Sequence, residues 1–342
     1  MSTESRIERL WYGADAGARV GRALLTPASA LFAAVARARS VLYDAGLLAS
    51  HSLPLPAVSV GNLSVGGTGK TPIAAFLART LRERGNRPAI VTRGFGDDEP
   101  LVHARLNPDV PVIVASDRVE GTRRARDAGA DVVVLDDAFQ HRRARRTIDI
   151  VLVSADRWRA GLRVLPAGPL REPPTALRRA SLVIVTRKAA PADAAEAVER
   201  WVTREAPGVP IATVHFALGD LLAWGAADRH AIAALRGRSV LAVAAVGDPS
   251  AFAAQLEAAG ARVRLRAFRD HHRFTAADAR ALASQATPDD LVVCTLKDAV
   301  KLGVLWPTGA PTLWYPSQDI ILERGADALA RSLDLLIPLR DR

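Results

Sequence analysis

From residue 57 onward, short apolar runs alternate with stretches of helical period. Ala57–Val60, Ala89–Thr92, Val110–Ala115, Asp131–Leu135, Ile148–Ser154 and Ser181–Thr186 read as strands, with helices over Thr71–Arg84 and Arg118–Ala128 between them. The runs are nearly continuous in apolar residues rather than alternating, the mark of strands covered on both faces. The expected class is therefore α/β, a mostly parallel sheet with helices on both faces. A second, smaller set follows: strands at Ser239–Val246, Arg262–Phe268 and Leu291–Thr295, with helices at Pro249–Ala259 and Ala276–Gln285. Ile211–Leu222 between the sets reads as an extended connector. Thr312–Tyr315 and Ile320–Leu322 are strand-like, and Ala326–Leu336 is helical. The expected division is an N-terminal helical segment 1–48, a first domain 49–210, a connector 211–235 and a second α/β domain 236–322. Residues 323–342 are expected to pack back on the first domain.

The first strand ends in Ser64-Val65-Gly66-Gly67-Thr68-Gly69-Lys70-Thr71, and a helical pattern starts directly after it. That context belongs to a phosphate-binding loop, which makes the first domain P-loop NTPase-like. Glycines let successive amides turn inward onto phosphate oxygens, Lys70 reaches the β- and γ-phosphates, and the Thr71 hydroxyl can hold Mg²⁺. The strict pattern has Gly where this chain has Ser64. Val132 to Leu135 then runs into Asp136-Asp137, an apolar strand ending in acid, which is the usual partner of such a loop beside Mg²⁺. Gln140 and His141 follow at the same carboxyl end, where open α/β sheets bind ligands.

Of the 46 basic residues only four are lysines: Lys70, Lys188, Lys297 and Lys301. The rest are arginine, so the net charge of +10 reflects a compositional bias and is a weak argument for nucleic acid. A positive surface facing anionic lipid fits equally well. A single cysteine, Cys294, excludes an intramolecular disulfide and suits a reducing compartment. Ala23 to Ala36 is almost wholly apolar, bounded by Arg37 and Arg39. It is shorter than the about 20 residues a membrane span needs, which leaves an interfacial helix or an ordinary docked one. Thr26 is its expected cap, with Pro27 in the first turn.

Three further clusters carry polar groups at strand ends. They are Thr92-Arg93-Gly94-Phe95-Gly96 with Asp97-Asp98-Glu99-Pro100, the Pro-rich loop from Leu165 to Pro173 with Arg171-Glu172, and Phe268-Arg269-Asp270-His271-His272. No Cys or His at ligand spacing completes a zinc site around the histidine pair.

Together these five segments, in this order, resemble the tetraacyldisaccharide 4′-kinases of the lipid A pathway, and the resemblance runs from about Trp11 to the last strand. The family carries Ser or Thr at the position of Ser64. The resemblance implies transfer of the γ-phosphate of ATP to the 4′-hydroxyl of a tetraacylated glucosamine disaccharide 1-phosphate. It implies ATP and Mg²⁺, with Thr71 and Asp136 on the metal. It also implies a peripheral enzyme at the cytoplasmic face of the inner membrane, raising the interfacial reading of Ala23–Ala36. No nucleic acid partner is expected, and a monomer is favoured. By the same resemblance Asp98 is the base, paired with His271 from the second domain, with Lys70, Asp136 and Asp137 completing the catalytic set. Arg93, Gln140, His141, Arg171 and Glu172 would contact substrate. Three departures stand out: the loop before Asp98 is short, so that Asp97 takes the place of a family Gly; Leu296 replaces a Glu in Thr295-Leu296-Lys297-Asp298; and Ala138 replaces Gly. The rival is a partition-type P-loop ATPase switch, whose loop carries a second Lys where this chain has Val65. A non-catalytic nucleotide-binding module is the third reading.

Overall fold

The computed structural model describes residues 3–94, 98–287 and 289–336. Three helices come first, α1 (Thr3–Tyr12), α2 (Ala16–Leu24) and α3 (Thr26–Asp44), followed by β1 (His51–Ser52). The first sheet block is β2 (Ala57–Asn62), α4 (Lys70–Glu83), β3 (Pro88–Thr92), α5 (Asp98–Leu106), β4 (Val112–Val114), α6 (Arg118–Asp127), β5 (Val132–Asp136), β6 (Ala144–Arg145), β7 (Ile148–Ser154), β8 (Leu182–Arg187) and α7 (Ala192–Glu205). The chain crosses on β9 (Ile211–Ala223) and β10 (Arg229–His230) into β11 (Ser239–Ala244), α8 (Pro249–Ala258), β12 (Arg262–Ala267), α9 (Ala276–Gln285), β13 (Asp290–Cys294) and α10 (Leu296–Leu302). It returns on β14 (Leu313–Arg324) and ends in α11 (Ala326–Asp334).

One sheet runs through the molecule in the order β12-β11-β13-β14-β9-β8-β7-β2-β5-β3-β4. Every residue of β2, β3 and β5 is buried, as continuous apolar runs require of strands with helices on both faces. On one face α4 places Ile73, Leu77 and Leu81, four residues apart, into the largest core. Leu329, Leu333 and Leu336 enter the same core from the C-terminal segment. On the other face α7 buries Ala195, Val198 and Val202.

The residues expected to be a connector form β9, thirteen residues that pair with β8 at one end and with β14 along most of their length. Their mixed polarity follows from burial that is full in one run and partial in another without regular alternation. Likewise the two strand-like pieces near the end are one strand, β14, which passes through Pro316 with a shift in register between Pro316 and Gln318. Proline donates no ladder hydrogen bond, and such irregularities are where strands accommodate it. Thr26 does not cap α3: its hydroxyl donates to the Arg22 carbonyl, and the cap position is Leu25, without a side-chain bond. The helices α5, α7 and α10 are not among those expected from the sequence, although α7 carries a helical apolar period in Ala195, Val198 and Val202.

The β9–β14 pair sets the position of the site. The strands from β9 to β4 run parallel to one another, and so do those from β12 to β14, but β9 and β14 are antiparallel. β8 pairs with the Ile211 end of β9, whereas β13 pairs with the Leu313 end of β14, which lies opposite Ala223. The two parallel blocks therefore sit at opposite ends of one ribbon and run toward each other. Their carboxyl ends, where α/β sheets bind ligands, face across a shared cleft.

Candidate active site

The phosphate loop lies between β2 and α4. Gly69 opens the helix at φ 90°, and a Cβ there would stand 2.5 Å from the Phe216 ring. Only glycine meets both conditions. Around it the loop is held on every side. Val65 N donates to Pro169 O at 2.8 Å, Asn62 Nδ2 to Thr68 Oγ1 at 2.8 Å, and Thr186 Oγ1 to Thr68 O at 3.0 Å. Lys188 Nζ donates to Gly67 O at 3.2 Å. Ser64 bridges to Leu170. From the facing block, Gly247 comes so near that a Cβ on it would lie 2.5 Å from Gly67 N. Arg157 fixes this approach by donating to Gly247 O, and its Nη2 reaches Glu8 of α1 at 2.8 Å. The first-turn amides of α4 are left with no intrahelical acceptor, an anion site by construction.

The acidic end of β5 meets the loop. Lys70 Nζ is 3.6 Å from Asp137 Oδ1, and Arg171 Nη1 is 3.1 Å from the same atom. Asp137 holds φ at 50°, unusual for a non-glycine residue. Asp136 is buried. Its Oδ2 takes Thr71 Oγ1 at 3.3 Å and His103 Nε2 at 2.9 Å, while its Oδ1 has no hydrogen-bond partner among the described residues. Burial raises the Asp136 carboxyl, but His103, Lys70 and Thr71 more than offset this and hold it low. Nearby Glu99, bonded to Thr92 Oγ1 at 3.1 Å, is raised by burial and by the Asp136 charge. A buried carboxylate with one oxygen unpartnered, a hydroxyl beside it and a second carboxylate repelled by it fit a divalent cation.

Asp98, at the start of α5, is fully buried and takes its charged partners from across the cleft. His271 Nδ1 lies 2.9 Å from Oδ1, Lys301 Nζ 3.1 Å from Oδ2, and Lys297 Nζ 3.8 Å from Oδ2. Burial works against ionisation, yet the His271 hydrogen bond and the two lysine charges keep Asp98 below the ordinary carboxylate range. His271 sits at φ 57°. Strained backbone of this kind persists where surrounding contacts over-determine it. Lys297 and Lys301 stand one turn apart on α10, whose start is fixed by Thr295 Oγ1 accepting from Asp298 N at 3.3 Å.

The other residues singled out in the sequence are dispersed around this cleft. Arg93 is exposed at the end of β3. Gln140 Nε2 braces Asn62 O, at the root of the phosphate loop, at 2.8 Å. His141 is held below the usual imidazole range by burial and by Arg118. Glu172 is buried, with Oε2 paired to Arg179 Nη2 at 2.8 Å and Oε1 without a hydrogen-bond partner among the described residues. Asp97, with Phe95 and Gly96, lies outside the described residues, as do 337–342.

Sequence reading missed His103, Glu99, Lys188, Lys297 and Lys301 as parts of the site. One signal was available for the lysines. All four lysines of this arginine-rich chain reach into the cleft: Lys70 to Asp137, Lys188 to the loop carbonyl, and Lys297 and Lys301 to Asp98. An ammonium is a compact point charge, suited to a single oxygen where a guanidinium fork is too broad.

Comparisons with known proteins give the family. The family model described as tetraacyldisaccharide-1-P 4′-kinase matches residues 21–99 and 96–336. The tetraacyldisaccharide 4′-kinase of Anaeromyxobacter dehalogenans (strain 2CP-C) is 41% identical, over 96% of this chain and 95% of the relative. That of Syntrophus aciditrophicus is 37% identical over 91% and 93%. The crystal structure of "apo" form LpxK from Aquifex aeolicus in complex with ATP superposes with a TM-score of 0.72 at 29% identity, covering 93% of this chain and 99% of that one. Matched along nearly its whole length, and carrying the five motifs in order around one cleft, the chain belongs to the tetraacyldisaccharide 4′-kinase family.

Proposed function

We infer that this protein moves the γ-phosphoryl group of ATP to the 4′-hydroxyl of a tetraacylated glucosamine disaccharide 1-phosphate. The observation that carries this reading is the pairing of two facing edges, a phosphate loop with Lys70 and Thr71 on one side and Asp98 gripped by His271 from the other. The amides of the loop and Lys70 bind and orient the nucleotide phosphates. Thr71 and Asp136 would hold Mg²⁺, which when bound neutralises charge on the phosphate oxygens. Asp98 takes the proton of the sugar hydroxyl as its oxygen bonds to phosphorus and the bond to the ADP oxygen breaks. His271 orients Asp98, while Arg171 stands beside Asp137 at the mouth of the cleft, open to nucleotide or acceptor phosphate. Arg93, Gln140 and His141 fit roles in acceptor binding. Excluding water favours transfer over hydrolysis, which suits a base buried between two blocks.

The acceptor is a lipid, and α2–α3 fit a lipid surface. Leu31, Val35 and Leu42 of α3 are exposed and recur at steps of four and seven, one stripe of that helix, and Leu24 is exposed at the end of α2. Leu31 is 69% exposed and Val35 60%. The opposite side is anchored to the body, where Ser29 Oγ donates to Val164 O and accepts from Ala167 N. Among the described residues no helix is long and apolar enough to cross a membrane. The stripe instead suits a helix lying in the headgroup region, which for this substrate is the cytoplasmic face of the inner membrane.

The test is transfer of ³²P from [γ-³²P]ATP to purified disaccharide 1-phosphate in detergent. Labelled lipid is expected. Release of inorganic phosphate with no labelled lipid would favour the ATPase switch, a reading that Val65 in place of a second lysine and the cross-cleft Asp98–His271 pair both disfavour.

A further inference from the structure

We propose that Lys297 is a positioning residue that fixes the tautomer of His271, so that Asp98 and not the imidazole receives the proton. The argument rests on the assignment of Asp98 and His271 to the reaction and on donor and acceptor chemistry. His271 Nδ1 faces Asp98 Oδ1 at 2.9 Å, and its Nε2 faces Lys297 Nζ at 3.1 Å. An ammonium has three donors and no acceptor, so Nε2 must present its lone pair. A carboxylate only accepts, so Nδ1 must carry the hydrogen. These two neighbours demand the same species, a neutral ring protonated at Nδ1, and the Asp270 Oδ1 that stands 3.8 Å from Nε2 is beyond hydrogen-bond reach of the ring and takes Lys297 Nζ instead.

This has a consequence for roles. In a Ser-His-Asp arrangement the carboxylate also holds Nδ1–H, and Nε2 is the base facing the nucleophile. Here Lys297 occupies that direction and caps the lone pair. It is itself held there by Asp270 Oδ1 at 2.9 Å, and Asp270 also accepts from the His271 amide at 3.1 Å. The ring is thus kept as a donor to Asp98, and the hydroxyl proton passes to the carboxylate. Lys297 also sits at the end of the altered Thr295-Leu296-Lys297 segment, and its contacts with Asp98, Asp270 and His271 need nothing from position 296.

The test uses the full chain in detergent with ring-¹⁵N histidine, the His271 signals among the seven histidines being found by comparison with His271→Gln. The wild-type ring should show a protonated Nδ1 and an unprotonated Nε2. Lys297→Met should let both tautomers populate and lower kcat roughly 10- to 100-fold, the usual scale for a residue acting through another, with the KM for ATP unchanged. Lys297→Arg, again a donor without an acceptor, should restore the wild-type ring signals and only part of kcat, since its broader fork fits the site less well. A wild-type Nε2 that carries a proton overturns the proposal, and that spectrum needs no variant to fold. So does a Lys297→Met protein whose ring signals stay in place, whether or not kcat falls. Wild-type turnover by Asp98→Ala and His271→Ala would instead remove the functional reading, whatever the ring shows.

Discussion

The two edges of the cleft are built by different rules. On the nucleotide edge the charged and hydroxyl contacts are made within one sheet block, Lys70 to Asp137, Thr71 and His103 to Asp136, Lys188 to the loop, and the facing block adds the close approach of Gly247 to Gly67. On the proton-handling edge Asp98 belongs to that block, but His271, Lys297 and Lys301 belong to the other. The first edge carries its phosphate-binding side chains on one block. The second exists only while the blocks are apposed. Binding and transfer are therefore separable properties in this molecule, and substitutions should sort accordingly.

The largest effect is expected on the nucleotide edge. Lys70→Ala should lower transfer by about 10³-fold or more, the scale of removing a cation from a transferring phosphoryl group. Its circular dichroism should match wild type, because Lys70 serves phosphate charge and not the core. Wild-type-like turnover would sink the kinase assignment. Next comes Asp98→Ala, expected to lower kcat by about 10²–10⁴-fold with little change in the KM for ATP. His271→Ala should be slow as well, and the double variant little worse than the slower single one, since groups acting as a unit are not additive. Asp97→Ala serves as the control and should be mild. A rise in the KM for ATP matching the fall in kcat of Asp98→Ala would break the separation of the edges.

A smaller effect, on stability, sharpens the contrast. Asp298, beneath the two lysines of α10, is pushed up to about 6 by burial, only partly offset by the Thr295 hydrogen bond and the Lys301 charge. Between about pH 4 and 6 the folded chain then holds a proton that the unfolded chain releases, so this site stabilises as pH falls and its contribution is lost as pH rises past 6. Asp298→Asn should flatten that dependence and stabilise at pH 8 by up to about 3 kcal/mol, at about 1.4 kcal/mol per pKa unit. Thermal melts across that range check it, and an unchanged slope would show that Asp298 does not titrate there. The smallest effect on chemistry belongs to the N-terminal helices. Deleting residues through Ser40 should reduce binding to anionic vesicles more than it reduces ATP affinity, since among the described residues no hydrogen bond of α2 or α3 goes to the phosphate loop, and α1 reaches it through the Glu8–Arg157 pair. A full-length protein that ignores such vesicles would refute the interfacial role.

The nucleotide edge was legible in the sequence because its parts are local. Gly66 to Thr71 and Val132 to Asp137 are contiguous, and the turn of the loop and the buried strand before the acids are written in their residue types. The α/β class was legible from the unbroken apolar runs, and it holds. The other edge was less so. His103 reads as an ordinary helix residue, and only the fold carries it to Asp136. Lys301 lies 203 positions from Asp98 in the chain, and no periodicity expresses that contact. The resemblance named Asp98 and His271, but composition pointed further than was recognised, since four lysines among so many arginines converge on one cleft. The β9 ribbon was misread because a strand covered fully at some positions and half at others lacks both of the patterns used to find strands.

That ribbon also governs how often the two edges meet. The second block is an insertion, entered on β9 and left on β14, so two covalent tethers hold it where a C-terminal appendage would have one. The two tethers are paired with each other from Thr213 to Ala223, with register shifts at Pro316–Gln318 and Leu322–Arg324, which leaves the block little rotational freedom. In the language of polymer tethering, His271 is presented to Asp98 at a high effective concentration, because the alternatives to meeting have been removed in advance. The cost of bringing acid and base partners together is met when the chain folds and is not repeated at each turnover.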